Sequence, residues 1–438
     1  MTTKSTKTIK TKENAAFKIP TAFDLSELLV KHYRACPHNN EVYVFNYGTG
    51  CYVEVDERET TMLLKRMIGE SDMYKIPLNT YKQAYKILLN QNYINNEVAR
   101  ISNPQSCILF KNGMFNILTG DRVSTSDMFC TYQVDANYSN KIEKTPVFDA
   151  FLNSITGNDV AAQKIILAFI GYCLLPEIHG NYFFVLGPGL DNGKTTFGHF
   201  LAKLVGGDDV VSYSLFMNSV NKSTLSPIIG SHLSIDMNMI TNPVSKTNAK
   251  YIKMLSGGEA VELKRKYNKP LMYTNNAKLI FGTNSPVQFD VDDDIFWDRM
   301  ILVPFIEKIP KENQNHNLLN ELWEERDGIV MKGINAVKDV IQNDYKFPEC
   351  RYTQRTKNIW RYSIDGDVID FIEEFNTIKG IESEMSLELL YSEYKKYCME
   401  YNTSAKNITN FSYILKDHFN FNIIHRDDDE LVIISVNE

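Results

Sequence analysis

The sequence predicts a mixed α/β chain built on a mostly parallel sheet, with smaller units before and after it. Three observations carry that expectation. Short apolar strands (Tyr182 to Leu186, His232 to Ile235, Ala277 to Phe281, Met300 to Val303) alternate with helical or loop segments between Tyr182 and Phe305, as in a layered α/β domain. The strand YFFVL runs directly into GPGLDNGKTTFGHFLAKLVG, a glycine-rich turn followed by a helix. An apolar helix from Val160 to Leu175, with Asn158 or Asp159 as its N-cap, leads into this core.

With 438 residues, 43% hydrophobic and 23% charged, the chain is long enough for two or three separately cored domains. Residues 1–18 alternate Lys and Thr without an apolar run that could serve as a secretory signal, and are expected to form a disordered tail. Residues 19–148 mix helical stretches (Thr60 to Ile68, Thr80 to Leu89) with aromatic strands such as Val42 to Tyr47, and read as an α-rich N-terminal accessory domain. The α/β core occupies 149–340, and 341–364, with Pro348 and Cys350, reads as a linker. In 365–438, helices at Ser386 to Tyr401 and Asn407 to Phe419 precede strands at Phe421 to Ile424 and Leu431 to Ser435 around the turn HRDDDE. Two helices and a hairpin of this size point to a winged helix.

Composition excludes several classes. A net charge of -7 and a pI near 5.7 rule out a chain coated with basic surface, so any nucleic-acid contact has to be local. The longest apolar run, Ile165 to Leu175, is closed by Pro176 and falls well short of the roughly 20 residues that cross a bilayer. No membrane partner is expected. Seven cysteines at 36, 51, 107, 130, 173, 350 and 398 form no C-x-x-C pair, which fits reduced core thiols in a cytoplasmic protein better than zinc ligands.

The turn after Leu186 has the composition of a phosphate-binding loop. Gly187, Gly189 and Gly193 let backbone N–H groups curl round phosphates, Lys194 reaches the terminal phosphates, and Thr195 is placed to ligate Mg²⁺. Asn192 and Thr196 complete the expected nucleotide contacts, and ATP with Mg²⁺ is the implied pair. The usual G-x-x-x-x-G-K-[ST] spacing would put its first Gly at 188, where this chain has Pro, so the loop is expected to carry one extra residue.

Four further segments complete the constellation. SHLSIDMNM ends a second strand in Asp236, the metal-side acid. The position where a neighbouring Glu would orient the attacking water holds Asn238, so hydrolysis is expected to be slow or its carboxylate to come from elsewhere, with Glu259 one source. KLIFGTNSPVQF ends in Asn284, which either touches the γ-phosphate or merely caps the loop before Pro286. DDDIFWDRMILVPF sets Arg299 immediately before a buried strand, as an arginine finger for a neighbouring subunit or as a surface ion-pair partner of Asp292, Asp293 or Asp294. Between the second and third strands, two β-arms turn at Asn268 to Pro270, with Lys264, Arg265, Lys266, Tyr267 and Lys269 at the tip. That cluster suits a single-stranded backbone with one stacked base, or it is a solvated hairpin.

Strand, glycine-rich loop, acid strand, GGE with a basic hairpin, strand ending in Asn, then Arg before a last strand: this order resembles superfamily 3 helicases of the phage and plasmid primase-helicase type, related to the poxvirus primase-helicase. FKNGMFNILTG, TPVFDAFLNSITGND and AFIGYCLLP resemble the accessory domain before that motor, and DGDVIDFIEEF with LLYSEYKKYCMEYN resembles its winged helix. The resemblance covers about residues 40 to 438. It implies an AAA+-like P-loop NTPase assembled as a homo-oligomeric ring, in the family a hexamer. Lys194 and Thr195 would then serve ATP and Mg²⁺, Asn284 would act as sensor, Arg299 in trans, and Lys266 and Lys269 would face DNA in the channel. Two departures stand out. Asn238 replaces the usual acid, and no room is left for a prim-pol domain, so the expected relatives are stand-alone helicases of mobile elements that cooperate with a separate primase or polymerase. The wing turn carries Asp427, Asp428, Asp429 and Glu430, which repel phosphate. Its partner is therefore as readily a protein, with Lys406, Lys416 and His418 left as the DNA-side candidates.

Two function classes follow. One is an ATP-dependent replicative DNA helicase acting on single-stranded and forked DNA. The other is a nucleotide-assembled DNA-binding initiator or loader with little turnover. A small-molecule P-loop kinase is disfavoured by the basic hairpin and by Arg299.

Overall fold

The computed structural model describes residues 18–38, 41–90, 106–125, 128–141, 143–207, 210–211, 224–237, 244–264, 270–284, 287, 293–362, 366–379, 384–401, 403–419, 421–426 and 429–433. The tail expected over 1–18 lies outside them apart from Lys18. The fold is mixed α/β, with one parallel sheet and several small antiparallel sheets. No described helix is long and apolar enough to cross a membrane.

The chain opens with α1 (Ala22–Tyr33), β1 (Cys36–His38), β2 (Glu41–Asn46), β3 (Cys51–Val55), α2 (Glu57–Ile68) and α3 (Leu78–Leu89). Thr21 and Asp56 start α1 and α2 with capping boxes, which satisfy two otherwise orphaned N–H groups at each helix start. The strands β4 (Cys107–Phe110), β5 (Gly113–Asn116) and β6 (Arg122–Val123) follow. Two three-stranded antiparallel sheets, β1-β2-β3 and β4-β5-β6, stand beside the three helices. Runs such as VYVF and CILF are β-branched, aromatic and buried, a composition that favours pleated strands over helix.

Two helices, α4 (Pro146–Thr156) and α5 (Val160–Cys173), lead into the core, and Asp159 caps α5 by accepting from Ala161 N and Ala162 N. The core then runs β7 (Phe183–Gly187), α6 (Lys194–Leu204), β8 (Val210–Val211), β9 (Leu233–Asp236), α7 (Lys246–Ser256), β10 (Ala260–Leu263), β11 (Leu271–Thr274), β12 (Lys278–Gly282), α8 (Asp294–Arg299) and β13 (Met300–Pro304). Five of these strands form a parallel sheet in the order β13-β7-β12-β9-β8. Because layers cover both faces, each of β7, β9 and β12 is buried throughout, which is why they read in the sequence as unbroken apolar runs. The remaining pair, β10 and β11, forms a separate antiparallel arm from Ala260↔Thr274 to Leu263↔Leu271.

Beyond the sheet come α9 (Leu318–Glu324), α10 (Arg326–Gln342) and α11 (Arg351–Tyr362). The stretch 341–364, expected as linker, thus contains a three-turn helix. α11 is anchored by Trp360, buried in the core beside Phe296 and Met300, and its Arg351 grips the fully buried Asp370 through two hydrogen bonds of 2.9 and 2.7 Å. The last unit comprises α12 (Gly366–Lys379), β14 (Glu384–Ser386), α13 (Leu387–Glu400), α14 (Ile408–Phe419), β15 (Asn422–Arg426) and β16 (Asp429–Ile433), with its sheet ordered β14-β16-β15 and its own core around Phe371, Tyr394 and Phe411.

The C-terminal end of α5 ties the accessory unit to the sheet. Its last carbonyls would be orphaned, yet three buried side chains from three different segments satisfy them. His232 Nε2 donates to Cys173 O at 2.8 Å, Tyr132 Oη donates to Leu174 O at 2.6 Å, and Lys278 Nζ donates to Leu175 O. Tyr132 and His232 also stack at 3.6 Å. On its flank, α5 packs against α10 where Gly171 meets Gly333. A Cβ at Gly171 would lie 2.1 Å from Gly333 O, so the two backbones touch.

Burial drives the Lys278 ammonium down to about 7, because the charged form loses its hydration there. An unfolded lysine titrates near 10.4, so between about pH 7 and 10 the unfolded chain binds the extra proton and stability rises with pH. Chemical denaturation at pH 7, 8 and 9 checks this. The wild-type chain should gain up to about 1.4 kcal/mol per pH unit from this group, and Lys278→Met should lose that component of the slope.

Candidate functional site

The parallel sheet fixes where chemistry gathers. Pro304 pairs with Gly187, Gly282 with Leu186, and Phe281 with Asp236, so β7, β12, β9 and β13 all end at one edge. β7 continues outward toward β8 while β13 returns on its other side, which makes the crevice beyond β7 and β13 a topological switch point, the usual ligand site of an open α/β sheet.

The glycine-rich loop lies at that crevice. Gly187, Gly189 and Gly193 have φ of 130°, 140° and 81°, in the region glycine tolerates and other residues avoid. Space forbids a side chain as well. A Cβ at Gly187 would come within 2.5 Å of Thr283 O, and one at Gly193 within 2.6 Å of the Phe151 ring. The helix α6 begins at Lys194 directly after Gly193, so its first-turn N–H groups and the positive end of its dipole face the loop.

Inside the loop, Lys194 Nζ donates to Gly189 O and, at 2.6 Å, to Asn192 Oδ1, while Asn192 Nδ2 donates to Phe305 O at 3.0 Å. Asn192 therefore spans the loop and the end of β13. The loop is also held by Ile309 N, which donates to Asp191 O at 2.9 Å. Lys194 is only 5% exposed, and burial lowers its ammonium to about 8, with Asp191 acting in the opposite direction. A buried cation hydrogen-bonded to two neutral oxygens is poised to gain by taking up an anion.

A cleft of about 530 Å³ opens beside the loop, lined by Asn192, Gly193, Lys194, Thr195, Thr196 and Asn284 on the side foreseen in the sequence. The other wall was not foreseen. It consists of His199 on α6 and the segment from Ile309 through Gln314, Asn315 and His316 to Leu318 and Leu319 at the start of α9. Polar loop residues have no period that marks them. The cleft residues Asn192, Gly193, Lys194, Thr195 and Thr196 fit a polyphosphate: backbone donors, one buried amine and two hydroxyls meet in one concavity.

The other expected residues are distributed as follows. Asp236 ends β9 and is 6% exposed, with β12 between it and β7. It does not line the described cleft, whose one carboxylate is Asp191, paired with Lys308 at 3.4 Å. Asn238 lies outside the described residues, as do Lys266, Tyr267 and Lys269. Lys264 is exposed at the described end of the β10–β11 arm. Glu259 is exposed between α7 and β10.

Arg299 occupies the opposite edge of the sheet. Met300 pairs with Phe183, four residues upstream of Gly187, or about 13 Å of strand. Its Nη1 donates to Lys253 O at 2.6 Å, while the neighbouring Lys253 and Asp293 form an ion pair. This register keeps Arg299 away from its own glycine-rich loop.

Comparison with known proteins adds little beyond this geometry. Residues 186–299 match the model of a family of unknown function, DUF5906. That span takes in every candidate residue from Gly187 to Arg299. No curated protein matches the chain. Among solved structures, it is similar to an apo A form of the NrS-1 C-terminal region, with a TM-score of 0.47, 10% identity, and coverage of 95% of this chain and 100% of that one. A second apo structure of that region, 305–718, gives 0.45 and 10% with the same coverage.

Proposed function

We propose that the chain is an ATP-driven motor of the superfamily 3 type, with a P-loop AAA+-like core and a C-terminal winged helix, that assembles as a ring and unwinds DNA during replication of a mobile element. The observation that carries this reading is the meeting of the glycine-rich loop, the buried Lys194 amine, the Thr195 hydroxyl and Asn284 in one cleft at the carboxyl edge of the parallel sheet. Lys194 would exchange its bonds to Gly189 O and Asn192 Oδ1 for phosphate oxygens, a charge-assisted replacement for two neutral acceptors. Thr195 and Asp236, at the end of the strand on the far side of β12, would hold Mg²⁺, which neutralises charge on the terminal phosphates. Asn284, which follows the intervening strand and lines the cleft, would orient the group at the γ-phosphate end.

The position of Arg299 supports action between subunits. About 13 Å of strand separates it from its own loop, so it would serve the nucleotide of an adjoining copy, as head-to-tail ring contacts require. The β10–β11 arm, with Lys264 at its described end, would carry Lys266, Tyr267 and Lys269 toward single-stranded DNA.

A second reading, a nucleotide-assembled DNA-binding initiator with little turnover, is favoured by one observation. Asp191 is the only carboxylate lining the described cleft and it already pairs with Lys308, so no unpaired carboxylate stands there to orient the attacking water.

ATP turnover with and without single-stranded DNA separates the readings. The motor predicts DNA-stimulated hydrolysis that falls at least about a hundredfold in Lys194→Ala. The initiator predicts ATP-dependent assembly without turnover, and turnover equal in wild type and Lys194→Ala excludes the motor. Affinity for ATP should hold steady below pH 8 and weaken as pH rises through about 8, up to tenfold per unit, because the free chain then loses the Lys194 proton that the anion requires. Lys194→Met should bind weakly and without that dependence, as read by calorimetry across pH 7 to 9. For Arg299, adding an Arg299→Ala chain to wild type should depress ATP turnover more steeply than simple dilution, whereas proportional loss would contradict a shared site.

A further inference from the structure

The half of the cleft away from Lys194 has a different chemistry from the loop. Leu190, Leu318 and Leu319 line it beside Ile309, and Leu190 is 58% exposed, an odd residue at the mouth of a site built for phosphate alone. His199 marks this end: five helical residues, or about 7.5 Å of rise, separate it from Lys194. α9 is held against α6 here by Lys203 Nζ, 3.9 Å from the centre of the Trp323 ring, so the wall is fixed in place. A flat apolar group joined to a polyphosphate would fill both halves.

One polar side chain in that half is oriented with an acceptor to spare. Gln314 Nε2 donates to Ile309 O at 3.2 Å, and Ile309 N in turn donates to Asp191 O in the glycine-rich loop at 2.9 Å. The Gln314 amide is thereby oriented relative to the loop. Its Oε1 has no hydrogen bond among the described residues, and the side chain is half-buried against the cleft. The neighbouring Asn315 offers no such group, since its Nδ2 donates to Glu321 and its Oδ1 accepts from Asn317 N.

We propose that this outer half seats the nucleoside and that Gln314 Oε1 accepts a hydrogen bond from the exocyclic amino group of adenine, which makes Gln314 the residue that selects the base. The proposal rests on the nucleotide reading of the loop. An amino group in that position satisfies the acceptor, whereas the carbonyl of hypoxanthine sets two acceptors against each other and leaves both unpaired.

Calorimetric titration of the full chain with ATP, ITP and inorganic tripolyphosphate tests it, because ITP differs from ATP at the base edge. The wild type should bind ATP about tenfold more tightly than ITP. Gln314→Leu should bring the two within about twofold by weakening ATP, and tripolyphosphate should bind the wild type and Gln314→Leu alike. Equal affinity for ATP and ITP in the wild type, or an unchanged ratio in Gln314→Leu, overturns the assignment. Tripolyphosphate bound as well as ATP removes the nucleoside seat while leaving the loop's role intact. Failure of the wild type to bind either ligand removes both.

Discussion

The parallel register of the central sheet is the constraint from which the rest follows. Pairing of Pro304 with Gly187 and of Gly282 with Leu186 brings the loop after β7, Asn284 after β12 and the Gln314 segment after β13 to one edge. The same pairing sends Arg299, which precedes β13, to the other edge. A slip of one residue would turn the buried faces of these strands outward, so the site and the core are specified by the same pattern of apolar residues.

Within that frame the loop stores a cost. Lys194 is held nearly dry against two neutral oxygens, with its ammonium lowered to about 8. An anion bound there would offset the desolvation, so part of its binding energy would come from the state it replaces. The scaffold tolerates this because its supports lie elsewhere. Asn192 fixes the loop to Phe305 O, and the end of α5 is closed by His232, Tyr132 and Lys278 from segments far apart in the chain. That triple cap couples the accessory unit to the sheet without using any residue of the cleft.

Much of the core was legible in the sequence. FFVLG, LSID, KLIFG and MILVP announce themselves as strands because both faces are covered, and the turn announces itself through Gly187, Gly189 and Gly193, whose positive φ favours glycine. Legibility failed where the signal was weak or misleading. Lys278 reads as a surface charge at the start of a strand, yet it is fully buried as a helix cap. The helix at 351–362 was missed because Thr353, Thr356 and Trp360 are its few buried residues among charged ones. Gln314 sits in a polar loop whose importance comes from what β13 places beside it, a tertiary fact.

The proposed motor depends on the turn after Leu186 wrapping a triphosphate. Hydrogen–deuterium exchange of the full chain, with and without Mg²⁺ and a slowly hydrolysed ATP analogue, measures that directly, because amides bound to phosphate stop exchanging. A triphosphate held by the turn should bring new protection concentrated in residues 187–196, with a second zone at 309–319. Saturating analogue that leaves the amides of 187–196 exchanging as in the free chain would contradict it.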